Sequence, residues 1–385
     1  MLTLVYLVTY PYMVSRLGSE QFALWVLALA FGQTLPVLDM GIAGALMKQV
    51  PQHCSRGERE RILQLGSTAT ALLLAIGSLC ALCSGLARPW LVEWLRIPTD
   101  LQAEMRWLLA GIACVFLINL IAASWSAILI GLQRADLSNG IYTWTAAVHA
   151  AGVFVALGNG YGLAGLLANA GVMALQWLLL TRLFLRRQLP GFGFSVGQVN
   201  RADARSLLGY GFKVQLAGAG GFFTIPAIKF ILSRYVSLAS VSFFELASGI
   251  SLQLRSAFLQ AAIPLTPAAA QLHATGEFAE MKRLYRSSFR LLFLSTLPAF
   301  SLGAVLAPGF VAFWLGQPNQ AVATTLSLLL LGWFINTLTL PAYFMLQGRG
   351  LARYQAIFAS LQLLCAIVFG HVLATAGGYY GAVLG

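Results

Sequence analysis

Long apolar runs recur along the whole of this 385-residue chain, and they constrain the fold more than any other feature. Apart from a short first run, they reach about the 20 residues that an α-helix needs to cross a bilayer, and none alternates with the period of two that is typical of a membrane β-barrel. Hydrophobic residues make up 59% of the chain and charged residues 9%, whereas about a quarter of a soluble domain is charged. The sequence therefore predicts an all-α membrane protein and excludes a soluble enzyme.

About twelve transmembrane helices are expected, the last of them incomplete. The predicted spans are 1–14, 21–49, 63–87, 103–130, 138–157, 162–184, 212–234, 238–270, 290–308, 320–346 and 355–376, with a twelfth that begins near 379. The abrupt start inside an apolar run and the unfinished last helix would both fit a fragment or a truncated gene product.

Short matches between the two halves of the chain indicate an internal duplication. Three dipeptides recur at one separation of 219 positions, each at the same point in the order of loops and helices: Leu27-Ala28 with Leu246-Ala247, Gly57-Glu58 with Gly276-Glu277, and Tyr161-Gly162 with Tyr380-Gly381. Because six helices is an even number, both copies would share one orientation in the membrane. We therefore predict two six-helix bundles related by a pseudo-two-fold axis along the membrane normal, an N-terminal bundle over 1–187 and a C-terminal bundle, truncated in its final helix, over 212–385, joined by a cytoplasmic linker over 188–211.

The excess of basic residues follows the loops and does not form a nucleic-acid-binding patch. The net charge is +12, and the cations concentrate in every second loop, at Arg56, Arg59, Arg61, Arg134, Arg182, Arg186, Arg187, Arg201, Arg205, Lys282, Arg283, Arg286, Arg290, Arg349 and Arg353. This positive-inside pattern predicts that these loops are cytoplasmic. The expected location is the inner, cytoplasmic membrane, with lipids and not nucleic acid as the surroundings.

Several motifs resemble those of the O-antigen and capsular polysaccharide flippases, a family of the multidrug/oligosaccharidyl-lipid/polysaccharide exporter superfamily. The resemblance covers nearly the whole chain and is carried by the stretches 16–25, 38–42, 45–48, 131–136, 264–267, 347–350 and 378–382, which read RLGSEQFALW, LDMGI, ALMK, GLQRAD, PLTP, QGRG and GYYGA. It implies two bundles around a central cavity that opens alternately to each side, a lipid-linked oligosaccharide on polyprenyl diphosphate as cargo for surface polysaccharide such as lipopolysaccharide O-antigen, and other polysaccharide-assembly proteins as further partners.

Two other classes stay open from the sequence. One is a multidrug or cation antiporter of the same superfamily. The other is a membrane glycan polymerase or ligase, which would usually carry catalytic carboxylates or arginines in a large loop, whereas the longest loop here holds a single acidic residue, Asp203. The dipeptide Gly-Lys never occurs, which argues against a Walker A phosphate loop. We expect neither an enzyme nor a bound cofactor or metal.

Two cations inside predicted spans, Arg255 and Lys229, are the candidate substrate-binding residues. A charged side chain at this depth needs a partner or an aqueous cavity, and the cargo implied by the resemblance carries a diphosphate that such cations would bind. The structural alternative for Lys229 is snorkelling towards the outer interface. The alternatives for Arg255 are cytoplasmic snorkelling and an ion pair with Glu245 or Asp39.

The remaining polar and aromatic candidates have simpler interpretations. Glu245 is either a coupling site for a proton or sodium or the counter-charge of a nearby cation, and Asp39 is either half of an ion pair or a capping carboxylate at a helix kink. His149 is expected to be a hydrogen-bonded packing residue. Most of the tryptophans near span ends are expected to be interface anchors; the tryptophans at these positions are Trp90, Trp94, Trp107, Trp177, Trp314 and Trp333.

Overall fold

The computed structural model describes the backbone of residues 2–34 and 39–384, and the side chains of these residues except 2–4, 33–34, 210–222, 352, 353 and 356. Within these ranges the regular structure is helical and no strand occurs. In chain order the helices are α1 (Leu2–Thr34), α2 (Ile42–Ser55), α3 (Arg59–Trp94), α4 (Gln102–Gly131), α5 (Ala135–Gly158), α6 (Gly162–Gln188), α7 (Arg201–Tyr235), α8 (Leu238–Ala262), α9 (Leu265–Ala274), α10 (Phe278–Leu315), α11 (Gln320–Leu338), α12 (Leu340–Gly348) and α13 (Ala352–Leu384). The all-α prediction is confirmed.

Among the described residues, seven helical stretches are long and apolar enough to cross a membrane. They are Arg59–Trp94, Gln102–Gly131, Ala135–Gly158, Gly162–Gln188, Phe278–Leu315, Gln320–Gly348 and Ile357–Leu384. Several exceed the roughly 20 residues that a bilayer requires, since α3 has 36 residues and α10 has 38. The protein is therefore a multi-pass membrane protein whose longest helices extend beyond the hydrocarbon layer.

Three spans that the sequence predicts as continuous are broken in the structure. The predicted span 21–49 is interrupted before α2, where Met40 and Gly41 both have positive φ values (51° and 69°), and its residues 35–38 with Pro36 lie outside the described residues. The span 238–270 ends at Ala262, and Pro264 precedes α9. Thr339 separates α11 from α12 in the span 320–346, and Pro341 lies in the first turn of α12. Proline lacks the N–H that continues a helix. Hydropathy does not reveal such breaks, because the residues around them are apolar.

The backbone repeats the predicted separation of 219 residues. Helix α3 begins at Arg59 and α10 begins at Phe278, and the residues before them have nearly the same conformation, with φ and ψ of −82° and 64° at Glu58 and −81° and 64° at Glu277. The preceding glycines, Gly57 and Gly276, have φ values of 72° and 75°. The hydrogen bonds of the two turns match as well, because the N–H of Glu58 donates to His53 O and that of Glu277 donates to Leu272 O, both at 3.0 Å. This agreement supports the duplication, while the axis relating the copies stays a prediction.

The chain divides into two compact units, unit 1 (Met1–Gly218) and unit 2 (Ala219–Gly385). In unit 1 a continuous cluster of buried side chains joins α2, α3, α4 and α6, with members that include Leu46, Leu65, Trp125, Ile128 and Leu185. Unit 2 has smaller buried clusters among its described residues, one around Leu292, Leu340 and Phe344 and one around Ala269, Met281 and Met345.

The predicted linker is folded onto unit 1 over residues 189–207, which we call the strap. Phe192 is 2% exposed and lies edge-on to Trp125, with ring centroids 5.5 Å apart. The strap covers α3 at Gly66, where an added Cβ would lie 3.0 Å from the Phe192 ring. Leu207 at its end is fully buried in the core cluster.

Polar contacts along α3 hold the same segment. Ser67 Oγ donates to Gln198 Oε1 (3.0 Å), and the N–H of Asn200 donates to Thr68 Oγ1 (3.1 Å). An ion pair joins Arg61 Nη2 to Asp203 Oδ1 at 2.6 Å. The segment between α6 and α7 is therefore a packed part of unit 1 and not an extended connection. Its hydrophilic composition did not indicate this packing.

Candidate functional site

Helix α8 supplies two of the four charged candidates, and polar side chains occur along its length. Ser237 caps its N-terminus by accepting a hydrogen bond from the N–H of Ser240 (3.2 Å). Buried serines follow at 240, 242, 248 and 251, and those at 242, 248 and 251 donate to carbonyls three residues earlier. These hydroxyls satisfy their own hydrogen bonds within the helix, so the two charged side chains of α8, Glu245 and Arg255, must find partners on other helices.

Glu245 forms a buried ion pair with Lys229 of α7. The Lys229 Nζ to Glu245 Oε2 distance is 2.6 Å, and the two side chains are 3% and 12% exposed. Opposite charges at this distance stabilise each other strongly where water is excluded. Lys229 is thus buried against Glu245 and does not snorkel towards an interface. Its partner is Glu245 and not a group beside Arg255, and Glu245 has the counter-charge that was one of its two expected roles.

Arg255 lies ten residues further along α8, about 15 Å from Glu245 along the helix axis, and it is half-buried. Its Nε donates to Asn336 Oδ1 of α11 at 3.0 Å, and the guanidinium carbon lies 4.6 Å from the centroid of the Trp333 ring. These contacts occupy the Nε edge and one face of the guanidinium and so fix its orientation. Its terminal nitrogens donate no hydrogen bond to any residue that the structure describes, so they can bind an anion.

Asn336 and Trp333 are the residues that sequence reasoning missed. Trp333 was expected to be an interface anchor, but the structure places its ring against Arg255, a cation–π contact worth about 0.5–2 kcal/mol. The sequence did contain an indication of this contact. An asparagine three residues after a tryptophan lies on the same face of the helix, and an asparagine in an apolar membrane helix usually forms a hydrogen bond to a neighbouring helix.

Asp39 acts at the helix break before α2. The N–H of Gly41 donates to Asp39 Oδ1 at 2.6 Å, a local turn that satisfies a backbone donor where Met40 and Gly41 leave the helical conformation. This contact fits the capping alternative for Asp39. Neither ion-pair prediction, of Arg255 with Glu245 or of Arg255 with Asp39, has a counterpart among the described ion pairs.

The interior of unit 1 has polar contacts of a different kind. Asn169 Nδ2 donates to His149 O at 2.9 Å and lies 3.0 Å from His149 Nδ1, which joins α6 to α5, and Gly152 leaves room for the Asn169 side chain. Trp125 Nε1 donates to Thr70 Oγ1 at 2.9 Å. All of these groups can pair without a charge, so His149 occupies the packing role expected for it.

A polar cavity of about 530 Å³ lies in unit 1 beside the strap, lined by Lys48, Gln49, Gln52, His53, Arg61, Ala202, Asp203 and Ser206. Within this lining Arg61 is paired with Asp203, and His53 Nδ1 lies 2.6 Å from Glu58 Oε2. This mixture gives no clear preference for an anion, in contrast to the surroundings of Arg255. The described residues hold no group of three or more metal-ligating side chains.

Comparisons with known proteins agree with this architecture. No family model matches the chain. The chain is 23% identical over 406 aligned residues to a Shigella flexneri protein named "Putative O-antigen transporter", a match that covers 99% of this chain and 90% of that one.

Solved structures share the fold at low identity. An inward-facing multidrug resistance transporter of the MATE family matches with a TM-score of 0.86 at 15% identity, covering 99% of this chain and 90% of its own. The lipid II flippase MurJ, in an inward closed conformation, matches with a TM-score of 0.77 at 12% identity, covering 100% of this chain and 82% of its own. The chain thus shares the fold of these transporters and is similar over nearly its whole length to the Shigella flexneri protein.

Proposed function

We propose that this protein is a flippase that moves a lipid-linked oligosaccharide across the cytoplasmic membrane by alternating access, for the synthesis of a surface polysaccharide. The similarity to the Shigella flexneri protein over nearly the whole chain supports an oligosaccharide carried on a lipid, and the fold supports transport. The protein would act as a transporter and not as an enzyme. Its place would be the inner membrane, where such lipids are assembled.

The observation that carries the proposal is the placement of Arg255. A cation inside an apolar bundle is unfavourable by about 2.5–3.5 kcal/mol on insertion scales unless it has a partner or an aqueous cavity. Here one edge of the guanidinium binds a neutral amide, Asn336, and no described carboxylate lies within ion-pair distance. A diphosphate would supply the missing negative charge and would accept two parallel hydrogen bonds from the terminal nitrogens.

Lys229 is a weaker candidate for the same role. Its charge is already balanced by Glu245 at 2.6 Å, so it would bind a substrate phosphate only in a state in which this pair opens. Glu245 would then lose Lys229 as its partner when the substrate binds. A carboxylate that couples transport to a proton or sodium ion would behave in the same way. We therefore keep Lys229 and Glu245 as a possible coupled pair and Arg255 as the primary anion-binding residue.

The class of the protein is tested by its loss in a cell that makes the cognate polysaccharide. Loss of a flippase should leave lipid-linked oligosaccharide accumulated on the cytoplasmic side, and the full chain should restore export. Loss of a polymerase would leave single repeat units already exported. Loss of a drug antiporter, the alternative from the same superfamily, would leave the glycan unchanged and raise drug sensitivity.

Arg255 is tested by two substitutions in that complementation assay. Arg255→Ala should reduce export by about tenfold or more, since a hydrogen bond to a charged group contributes about 1.5–3 kcal/mol, with the amount of folded protein unchanged. Arg255→Lys should retain partial export, because a point charge remains without the planar fork. The matched control is Arg234→Ala at the end of α7, which removes one cation from the same unit and should export normally. An abundant Arg255→Ala protein that still exports at the wild-type rate would remove this residue from the mechanism.

A further inference from the structure

The first turns of α10 carry an exposed face of aromatic and basic side chains. Phe278, Lys282, Tyr285 and Phe289 follow one another at steps of four, three and four residues, which places them on one side of the helix, and the three rings are 61%, 38% and 37% exposed. The rings of Tyr285 and Phe289 are stacked with centroids 6.3 Å apart. A neighbouring row, Arg283, Arg286 and Arg290, is also exposed. We call these seven residues the α10 face.

The duplicated structure shows that the middle of the equivalent surface is covered in unit 1. Positions 63, 66, 67 and 70 of α3 precede Lys282, Tyr285, Arg286 and Phe289 by 219 residues. In α3 these positions are Leu63, Gly66, Ser67 and Thr70, the last three fully buried, and the strap lies over Gly66 and Ser67. The same side of the repeated helix is thus buried in one copy and exposed in the other.

The residue types indicate that the α10 face is not built to receive a strap. Glycine and serine let the strap backbone approach α3 closely, whereas tyrosine and arginine at the equivalent positions project away from α10. Glu280 neutralises Arg283 at 3.0 Å. Among the described residues, Lys282, Arg286 and Arg290 have no carboxylate within ion-pair distance. The α10 face therefore presents a net positive charge interleaved with aromatic rings.

The position of the face along α10 brings it to the membrane surface. Residues 291–315 contain no charged side chain and span about 37 Å as a helix, enough for the hydrocarbon layer of about 30 Å. Arg290 directly precedes this stretch, and Lys282 lies about 12 Å further along the axis. Together, the headgroup region, about 5–7 Å deep on each side, and the Debye length of about 8 Å at physiological salt cover that distance.

We propose that the α10 face binds the phosphate headgroups of anionic phospholipids in the cytoplasmic leaflet. Clusters of four or more cations directly beside a membrane span attract such lipids, and aromatic rings favour the same interfacial depth. The binding would hold the protruding end of α10 against the membrane. This proposal requires only that the protein spans the membrane, and it would survive a failure of the proposed transport function.

The test measures which lipids gather around the α10 face of the full chain in vesicles. The five native cysteines are replaced by serine, and a donor fluorophore is attached through Ser287→Cys, an exposed position among the residues of the face. Energy transfer is compared between traces of phosphatidylglycerol and phosphatidylcholine that carry the same acceptor on an acyl chain. We expect about fivefold local enrichment of phosphatidylglycerol, falling towards one in 1 M salt, where the Debye length is about 3 Å.

Two four-residue variants separate this face from general surface charge. K282Q/R283Q/R286Q/R290Q should bring the enrichment near position 287 to about one. R56Q/R59Q/R201Q/R205Q, which removes the same charge from exposed positions of unit 1, should leave it unchanged. Because salt acts on the unsubstituted face, the test does not depend on the folding of either variant.

Three results would overturn the proposal. The first is a ratio near one for the unsubstituted face, and the second is an enrichment that persists in K282Q/R283Q/R286Q/R290Q. The third is a ratio near one together with quenching of the donor by an acceptor-labelled polyglutamate peptide, which would assign the α10 face to an acidic protein segment.

Discussion

The same turn precedes α3 in unit 1 and α10 in unit 2, yet the polar groups in the interiors of the two units differ. In unit 1 the polar contacts between α5 and α6 and between α3 and α4 join neutral partners, Asn169 with His149 and Trp125 with Thr70, and the ion pair of Arg61 with the buried Asp203 lies where the strap docks. In unit 2 the interior holds the Lys229–Glu245 ion pair and the half-buried guanidinium of Arg255. The backbone framework is repeated, while the charge inside it is not.

This difference separates a structural role from a functional one. Neutral pairs join helices at a modest desolvation penalty, whereas buried charges are unfavourable for stability compared with apolar side chains of the same size. Charges inside a membrane bundle therefore mark positions where ions or charged substrates are handled. By this argument we propose that unit 2 carries the substrate chemistry, while unit 1, with its continuous core and docked strap, has mainly a structural role.

The largest effect that would sharpen this contrast is expected at the buried ion pair. Lys229→Ala would leave the Glu245 carboxylate buried without its cation, and it should lower the free energy of unfolding by about 3–5 kcal/mol. The double variant Lys229→Met with Glu245→Leu should recover most of this loss, because two apolar groups replace both charges. Thermal unfolding of the purified protein measures both.

The matched control in unit 1 is Asn169→Ala. It removes hydrogen bonds between neutral groups, so the loss should be about 1–2 kcal/mol. Equal losses for Lys229→Ala and Asn169→Ala would break the contrast between an ionic and a neutral interior.

The next effect concerns the strap that docks on α3 of unit 1. Asp203 is 3% exposed, and Asp203→Ala removes its ion pair with Arg61, which should destabilise the docked strap by about 1–3 kcal/mol. Amide hydrogen exchange over 189–207 should then speed up, while exchange over α10 stays unchanged. Arg205→Ala, at an exposed strap position, is the control, and faster exchange in that variant as well would argue against a specific contribution from Asp203.

A smaller pair of effects tests the repeat itself. Gly57 and Gly276 have positive φ values, and an added Cβ would meet no atom within 4 Å at either position. The penalty for Gly57→Ala and for Gly276→Ala is therefore conformational alone and should be about 1 kcal/mol in each case. Unfolding temperatures of the two variants should fall by similar amounts, and a large difference would show that the turns are not equivalent.

The smallest effect is a pH dependence confined to the turn of unit 1. The hydrogen bond with His53 holds the pKa of the exposed Glu58 carboxyl below its ordinary value. A carboxyl whose pKa is lower in the folded state stabilises above its unfolded pKa, and that contribution is lost as the pH falls through the folded pKa. Glu277 lacks this contact because Leu272 replaces His53 in the repeat.

Hydrogen exchange can detect this difference between the turns. After correction for the intrinsic rate, protection at 57–61 should decrease in acid below the ordinary pKa of a glutamate, and protection at 276–280 should not. His53→Ala should abolish the dependence in unit 1. A pH effect that persists in His53→Ala would assign it to another group.

Much of the fold could be read from the chain because its signals are one-dimensional. Hydropathy over about 20 residues identifies spans, and the dipeptides that recur at a separation of 219 residues indicate the duplication that the matching turns support. Helix breaks were harder, since Thr339 interrupts an apolar run with little change in hydropathy. The strap was missed for a related reason, because a polar segment that docks through Phe192 and Ser67 resembles a solvated linker in composition.

The sequence by itself identified the charged groups of the candidate site, because a lysine, a glutamate and an arginine stand out in the apolar stretches that it predicts as spans. It did not determine their partners. Lys229 meets Glu245, and Arg255 meets Asn336 81 positions away, because pairing depends on which faces of two helices come together in the bundle. The packing of the helices places Lys229 in an ion pair with Glu245 and leaves Arg255 able to bind an anion. Only the tertiary structure decides this difference.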